Sequence, residues 1–193
     1  MVIAASILAA QNYSFKEYTV LDGLPQTQAR ILYQDSRGFL WIITRIGISR
    51  FDGIEFKNFL RKDGLPANII GQIFEDSEGH IWALSTNGIS RYDGYAFKYF
   101  PYSDELLYEG FRCAINLNDT ILLVLNNLND SDNKLICFKD GEYFKYPAKN
   151  NVLDTISVIS INFDKASGFY ILLDSYNNAW KWKNNELIPF RDI

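Results

Sequence analysis

The chain holds one histidine, two cysteines and no apolar run long enough to cross a bilayer. His80 follows a turn glycine with no second histidine or cysteine at ligand spacing, so no zinc site assembles around it and it is expected as a surface turn residue. Two cysteines in 193 residues cannot supply a disulfide framework. Cationic clusters are missing as well: 19 Lys and Arg stand scattered against 23 Asp and Glu, for a net charge of −4 and a pI near 5.0. Nucleic-acid binding needs clustered cations to displace counterions from phosphates, and that function class is excluded. The apolar stretch that opens the chain, Met1 to Ala10, is about half as long as a spanning helix requires and lacks a basic region before it. It ends in small residues ahead of Gln11-Asn12, which predicts a signal-peptide remnant over 1–10, with an ordinary first strand as the alternative. What the chain has in quantity is apolar (48%) and aromatic (16%) side chains, enough to fill a core.

Those residues are organised by a repeat. The stretch from Asp35 to Gly53, DSRGFLWIITRIGISRFDG, returns about 41 residues later from Asp76 to Gly94 as DSEGHIWALSTNGISRYDG. Asp35, Gly38, Trp41, Gly47, Asp52 and Gly53 recur as Asp76, Gly79, Trp82, Gly88, Asp93 and Gly94. A period of this size belongs to stacked or radial repeat folds. Within each copy the pattern predicts four short antiparallel strands, in the first copy Ala29 to Gln34, Phe39 to Thr44, Gly47 to Phe51 and Ile54 to Phe59. The Asp-Ser-x-Gly turn joins the first pair and the Asp-Gly hairpin the last. Four strands in about 40 residues make one blade of a β-propeller. The first two strands are apolar at nearly every position, as expected of a blade buried on both faces. Trp41 and Trp82 are then core between blades.

The string Asp-Gly-Leu-Pro, then Asp-Ser-x-Gly-x-(Leu/Ile)-Trp, then Gly-Ile-Ser-Arg-(Phe/Tyr)-Asp-Gly resembles the two-component regulator propeller repeat. The resemblance implies the periplasmic sensor region of a hybrid two-component system protein of the kind found in polysaccharide-degrading Bacteroidetes. It implies further blades, a small β-sandwich, a transmembrane helix, a histidine kinase and a response regulator beyond this chain. It also implies a homodimeric full-length sensor, a glycan fragment or other small ligand, and contact with the membrane only through segments downstream.

Two flanking repeats have drifted. The third is placed at about 108–147 and the fourth at 152–190, beside clear copies at 24–60 and 65–101. In the fourth, Tyr170 stands near the tryptophan position and Asn184-Asn185 takes the place of Asp-Gly. Phe15 to Val20 aligns with a fourth strand, so an N-terminal outer strand over 15–20 has no blade of its own, and residues 11–193 read as part of a larger, seven-bladed propeller. Cys113 and Cys137 fall on the first and third strands of one blade, about 9.5 Å apart by strand spacing. That exceeds the roughly 7 Å a disulfide can bridge and predicts two buried thiols even in an oxidising compartment. The polar loop Asn126 to Asn133 has a faint calcium-loop spacing without that motif's glycine and closing glutamate, and neither metal nor cofactor is expected.

Most carboxylates are committed to turns, and no pair stands out as acid and base, which argues against an enzyme. Propellers bind ligands where loops gather on one face, here the connections from fourth to first and from second to third strands. Thr27, Gln28, Arg45, Asn68, Thr86 and Asn87 lie there and are the candidates for binding sugar hydroxyls. A secreted propeller hydrolase or lyase acting on polysaccharide and a protein-binding scaffold are the alternatives to a sensor.

Overall fold

The computed structural model of the chain describes residues 15–103, 109–117, 120–127, 133–146, 158–164, 166–184 and 186–190. Sixteen strands lie among them. The first four are β1 (Ile31–Gln34), β2 (Leu40–Ile43), β3 (Ile48–Phe51) and β4 (Phe56–Phe59), and the next four β5 (Gln72–Glu75), β6 (Ile81–Ser85), β7 (Gly88–Tyr92) and β8 (Phe97–Pro101). Then come β9 (Glu109–Leu117), β10 (Thr120–Asn127), β11 (Asn133–Lys139) and β12 (Glu142–Lys145), followed by β13 (Val158–Asp164), β14 (Phe169–Asp174), β15 (Ala179–Lys183) and β16 (Glu186–Pro189). Each consecutive four form one antiparallel sheet in chain order, which makes the chain all-β with four propeller-type blades.

In the first repeat each strand starts one or two residues inside the expected limits and β2 also ends one residue early, with turn side chains taking over backbone groups around β3. Thr44 donates its hydroxyl to the Gly47 carbonyl at 3.1 Å, and Asp52 Oδ1 accepts the N–H groups of Ile54 and Glu55, both at 2.8 Å.

The tryptophans are tied to the turns that precede them. Asp35 Oδ1 accepts the N–H groups of Arg37 (3.0 Å) and Phe39 (2.9 Å), while its Oδ2 accepts Trp41 Nε1–H at 2.8 Å. Asp76 repeats this with Glu78 and His80 (both 2.9 Å) and Trp82 Nε1–H at 2.7 Å. The turn needs a left-handed residue, and Gly38 (φ 89°) and Gly79 (φ 83°) supply it. A third copy appears where the repeat alignment did not anticipate one. Asp174 accepts Tyr176 and Asn178 N–H (both 2.9 Å) and Trp180 Nε1–H (2.9 Å), with Asn177 at φ 62° in the glycine's place. In the first two sheets this pin closes the turn between the first and second strands, and in the fourth sheet the turn between the second and third. Tyr170 pairs with Phe163 and Trp182 as Leu40 pairs with Gln34 and Phe51, and it packs toward the preceding sheet, so it falls one residue before the tryptophan register.

The sheets pack face to face in sequence. Trp41, Ile43, Ile48 and Phe59 of the first meet Ile73, Ile81, Ala83, Tyr92 and Phe97 of the second. Trp82, Leu84 and Ile89 meet Ala114, Ile121, Leu123 and Phe138 of the third. Leu122, Val124, Leu135 and Cys137 meet Val158, Ile161, Leu172 and Trp182 of the fourth. Cys113 on β9 and Cys137 on β11 are buried with β10 between them and form no disulfide, as strand spacing predicts. Burial pushes the Cys137 thiol up to about 11.

Residues 15–19 lie outside any sheet and Val20–Asp22 is a 3-10 turn. The expected outer strand would complete a blade other than the four described sheets, and none of these offers it a ladder. The segment nonetheless docks on the first sheet as the end of β4 docks on the second. Tyr18 packs on Phe51 and Phe56 (ring centroids 5.0 and 5.4 Å), as Phe59 packs on Tyr92 and Phe97 (both 5.2 Å). The stretch over 1–10 and the loop at 128–132, with its faint calcium spacing, lie outside the described residues.

The aspartates of the turns make stability pH-dependent. Burial would raise the Asp76 pKa, but the Trp82 indole and the His80 and Glu78 N–H groups outweigh it and hold the carboxyl below its ordinary value. Asp174 is likewise lowered: burial opposes, while the Asn178 and Trp180 side chains and turn amides prevail. A carboxyl lowered on folding contributes stability that is fully present above its unfolded pKa of about 3.9 and lost as pH falls through the folded value. The urea midpoint will therefore fall on acidification below about pH 4, and Asp76→Asn, which cannot ionise, will flatten that fall. Parallel curves for the two proteins would contradict this.

Candidate functional site

The connections from β2 to β3, from β6 to β7 and from β4 to β5 leave the sheets at the edge opposite the Asp35 and Asp76 turns. Thr27, Gln28, Arg45, Asn68, Thr86 and Asn87 are all exposed there. Two of them come together. Asn68 and Thr86 line a cavity of about 440 Å³ with Arg61, Ala67, Ile69, Gly71 and Ser85. Thr27, Gln28 and Arg45 lie outside this cavity, on the equivalent loops of the first repeat, and Asn87 stands beside it as a support.

The loop at Thr86 is held from within. Ser85 donates its hydroxyl to the Gly88 carbonyl (3.3 Å) and accepts the Asn87 N–H (3.0 Å). The Asn87 carbonyl accepts Tyr99 O–H at 2.9 Å and Tyr102 N–H at 3.1 Å. Thr86 donates its hydroxyl to Asn87 Oδ1 at 3.0 Å, which leaves the Thr86 oxygen able to accept from a ligand. Gly88, at φ 149°, lets β7 lie against β8, since a Cβ there would sit 2.4 Å from the Phe100 carbonyl oxygen. In the first repeat Thr44 braces the loop in the same way, donating to the Gly47 carbonyl (3.1 Å) and accepting the Ile46 N–H (3.3 Å), and Gln26 Oε1 adds a bond from the Arg45 N–H at 3.1 Å.

Arg61, the one charged side chain on the cavity wall among the described residues, was not among the sequence candidates. It lies in the 3-10 turn Arg61–Asp63 that leads into the second sheet, and the matching position in the first repeat is Val20. A search for what two repeats share passes over a residue that only one has, and the Val20/Arg61 difference was the available signal. Guanidinium, amide and hydroxyl groups set around apolar Ile69 and Ala67 suit a neutral polyol: donors and acceptors beside an apolar surface.

His80 is less bare than a turn residue need be. Its ring is partly buried, with Nδ1 3.2 Å from Asp76 Oδ2 and 3.4 Å from Glu78 Oε2, so it braces the Asp76 turn. Among the described residues no three His, Cys, Asp or Glu side chains gather as a metal site.

The family described as two component regulator propeller matches residues 64–87, the run from Gly64 through the Asp76 turn and β6. Over 42 residues the chain is 45% identical to histidine kinase P4 of Formosa agariphila, a match that spans 22% of this chain and 3% of that protein. Among solved structures, the extracellular domain of the hybrid two component system BT4673 from B. thetaiotaomicron superposes with a TM-score of 0.65 at 12% identity, covering 91% of this chain and 23% of that one. The corresponding domain of BT3049 from the same organism gives 0.60 at 21% identity, covering 89% of this chain and 24% of that one. The chain thus spans about a quarter of the structures it resembles and a far smaller share of the kinase. Repeat, sheet topology and structural likeness agree on the fold: the chain is built of propeller-type blades, and its residues 64–87 match the two component regulator propeller family.

Proposed function

We propose that this chain is part of the ligand-sensing propeller of a periplasmic hybrid two-component sensor, and that it takes a glycan fragment in the cavity lined by Arg61, Asn68 and Thr86. The observation that carries the proposal is the repeat itself, matched over 64–87 and set in a fold like those of sensor extracellular domains. The cavity supports a binding role because it gathers a guanidinium, an amide and hydroxyls, with no carboxylate among its lining residues. In the whole protein further blades complete a ring of seven, and a β-sandwich, a membrane helix and a histidine kinase with its response regulator follow. Glycan binding shifts the arrangement of two sensor chains and so biases the kinase, which requires unequal affinity for the two arrangements.

Thermal-shift and calorimetric titration of the purified chain with neutral oligosaccharides tests the binding step. At least one is expected to raise the melting temperature, and Asn68→Ala and Thr86→Ala are each expected to weaken it about five- to tenfold, the worth of one hydrogen bond to a ligand. Binding that ignores both substitutions would move the site elsewhere. Release of reducing sugar by the purified chain would instead favour an enzyme.

A further inference from the structure

The seams between neighbouring sheets share one plan, and a cavity opens where the plan is broken. Between the first and second sheets, the turn at Ser36 is held from across the seam by Glu75. Ser36 donates its N–H to Glu75 Oε2 at 2.7 Å and its hydroxyl to Oε1 at 2.6 Å. On the same seam Arg50 Nη1 donates to the Tyr92 hydroxyl at 3.3 Å, and that hydroxyl donates to the Gly94 carbonyl at 2.6 Å. One carboxylate and one hydroxyl thus serve a serine turn, a guanidinium and a glycine carbonyl.

The seam between the second and third sheets keeps the groups that are served and lacks the groups that serve them. Ser77, Arg91 and Gly141 stand where Ser36, Arg50 and Gly94 do. Asn116 holds the place of Glu75, each pairing with the first residue of the common ladder, Ile121 or Ile81. Phe138 holds the place of Tyr92 by the same pairing. It also packs on Trp82 at 5.6 Å as Tyr92 packs on Trp41 at 5.2 Å. The carboxylate is replaced by the shorter, uncharged amide of Asn116, and the phenol hydroxyl is gone. Among the described residues the side chains of Ser77 and Arg91 make no hydrogen bond or ion pair; the Nε of both Arg50 and Arg91 is buried and unpartnered, but Arg91 lacks the Nη bond that Arg50 makes, and its guanidinium lies over the Trp82 ring at 5.7 Å. In the vacated space a cavity of about 720 Å³ opens, lined by Ser77, Arg91, Asn116 and Gly141 with Lys98 beside them. Of the acidic groups on its wall, Asp76 is engaged by the Trp82 indole and its own turn, and Glu78 faces His80, while Asp140 belongs to the turn that carries Gly141.

We propose that this cavity binds a hydroxycarboxylate of about the size of a sugar acid. Its carboxylate takes the place of Glu75, accepting the N–H and hydroxyl of Ser77. Its hydroxyl takes the place of the Tyr92 phenol, accepting from Arg91 and donating to the Gly141 carbonyl. A half-buried guanidinium that faces a cavity and lacks an acceptor favours an anion, and hydrogen bonds from it are charge-assisted. The cavity lies at the Ile81 end of β6, whereas the one lined by Asn68 and Thr86 lies at the Ser85 end, so the two sites are separate.

The test is titration of the purified chain with gluconate, followed by calorimetry and by the tryptophan indole N–H resonances, with glucose as the neutral control. Gluconate is expected to bind saturably and shift the Trp82 resonance, and glucose to leave it unmoved. Ser77→Ala, at an exposed turn position, should weaken gluconate at least about tenfold through the lost charge-assisted bond. Asn116→Glu with Phe138→Tyr, which restores both fillers, should abolish binding. No binding of gluconate, equal binding of glucose, or an affinity untouched by Ser77→Ala would each overturn the proposal. If the refilled variant does not fold, Ser77→Ala decides alone. Asn68→Ala and Thr86→Ala should leave gluconate binding unchanged, which keeps this outcome apart from that of the glycan cavity.

Discussion

Truncating Trp41 to alanine is expected to lower the unfolding free energy by roughly 3–5 kcal/mol, the range for removing a large buried aromatic. The indole is fully buried and touches Phe59 of its own sheet (centroids 5.9 Å) and Tyr92 and Phe97 of the next (5.2 and 6.2 Å). Its loss opens a void across a seam between sheets, where neither side can collapse without moving the other. It also strips Asp35 of the N–H on Oδ2, and Asp35 is itself buried at 4% exposure. Trp41→Phe separates the two contributions: it keeps most of the packing and loses the N–H, for a smaller cost of about 1–3 kcal/mol. Urea denaturation of the two variants checks this, and equal losses would mean that the hydrogen bond dominates.

Gly64→Ala is expected to be at least as damaging. Gly64 has φ 92°, and a Cβ there would lie 1.9 Å from the Phe97 carbonyl oxygen and 2.8 Å from the carbon. The obstacle is backbone on both sides, so the connection must move off the second sheet. With it would go the 2.7 Å bond from the Ser90 hydroxyl to the Gly64 carbonyl. A cost above about 4 kcal/mol is expected, in the exceptional class of single substitutions. Gly53→Ala is the control, since it carries a similar φ of 99° but meets nothing within 4 Å. It should cost only the left-handed backbone strain, about 1–2 kcal/mol. Thermal unfolding of the pair measures the contact apart from the dihedral, and similar midpoints would refute the clash.

The four-stranded sheets were legible because two devices write themselves plainly: turns that need Asp and Gly at fixed spacing, and apolar strands of matching length. Spacing from the turn glycine set Tyr170 near the tryptophan position, and the ladders place it one residue short, beside Phe163 and Trp182 as Leu40 stands beside Gln34 and Phe51. The third pin, Asp174 to Trp180, was spelled out in the chain as DSYNNAW, yet a search at fixed period had already assigned those residues to a later strand and loop. Local hydrogen bonds do not obey the period of the array. Arg61 and the space between Asn116 and Phe138 were hidden for a different reason. Both arise where one repeat departs from another, and a consensus discards departures. The 15–20 segment was readable as to place, because Tyr18 finds its aromatic partners, while its strand form depends on a ladder that the four described sheets do not supply.

Every bond of the Asp35 pin closes within seven residues, and the same holds at Asp76 and Asp174. A unit stitched so locally brings its own fastening wherever it is copied. Gain or loss of a whole unit by recombination then asks only that the two flanks it brings together still fit, so the number of units can change over descent faster than the contents of any one.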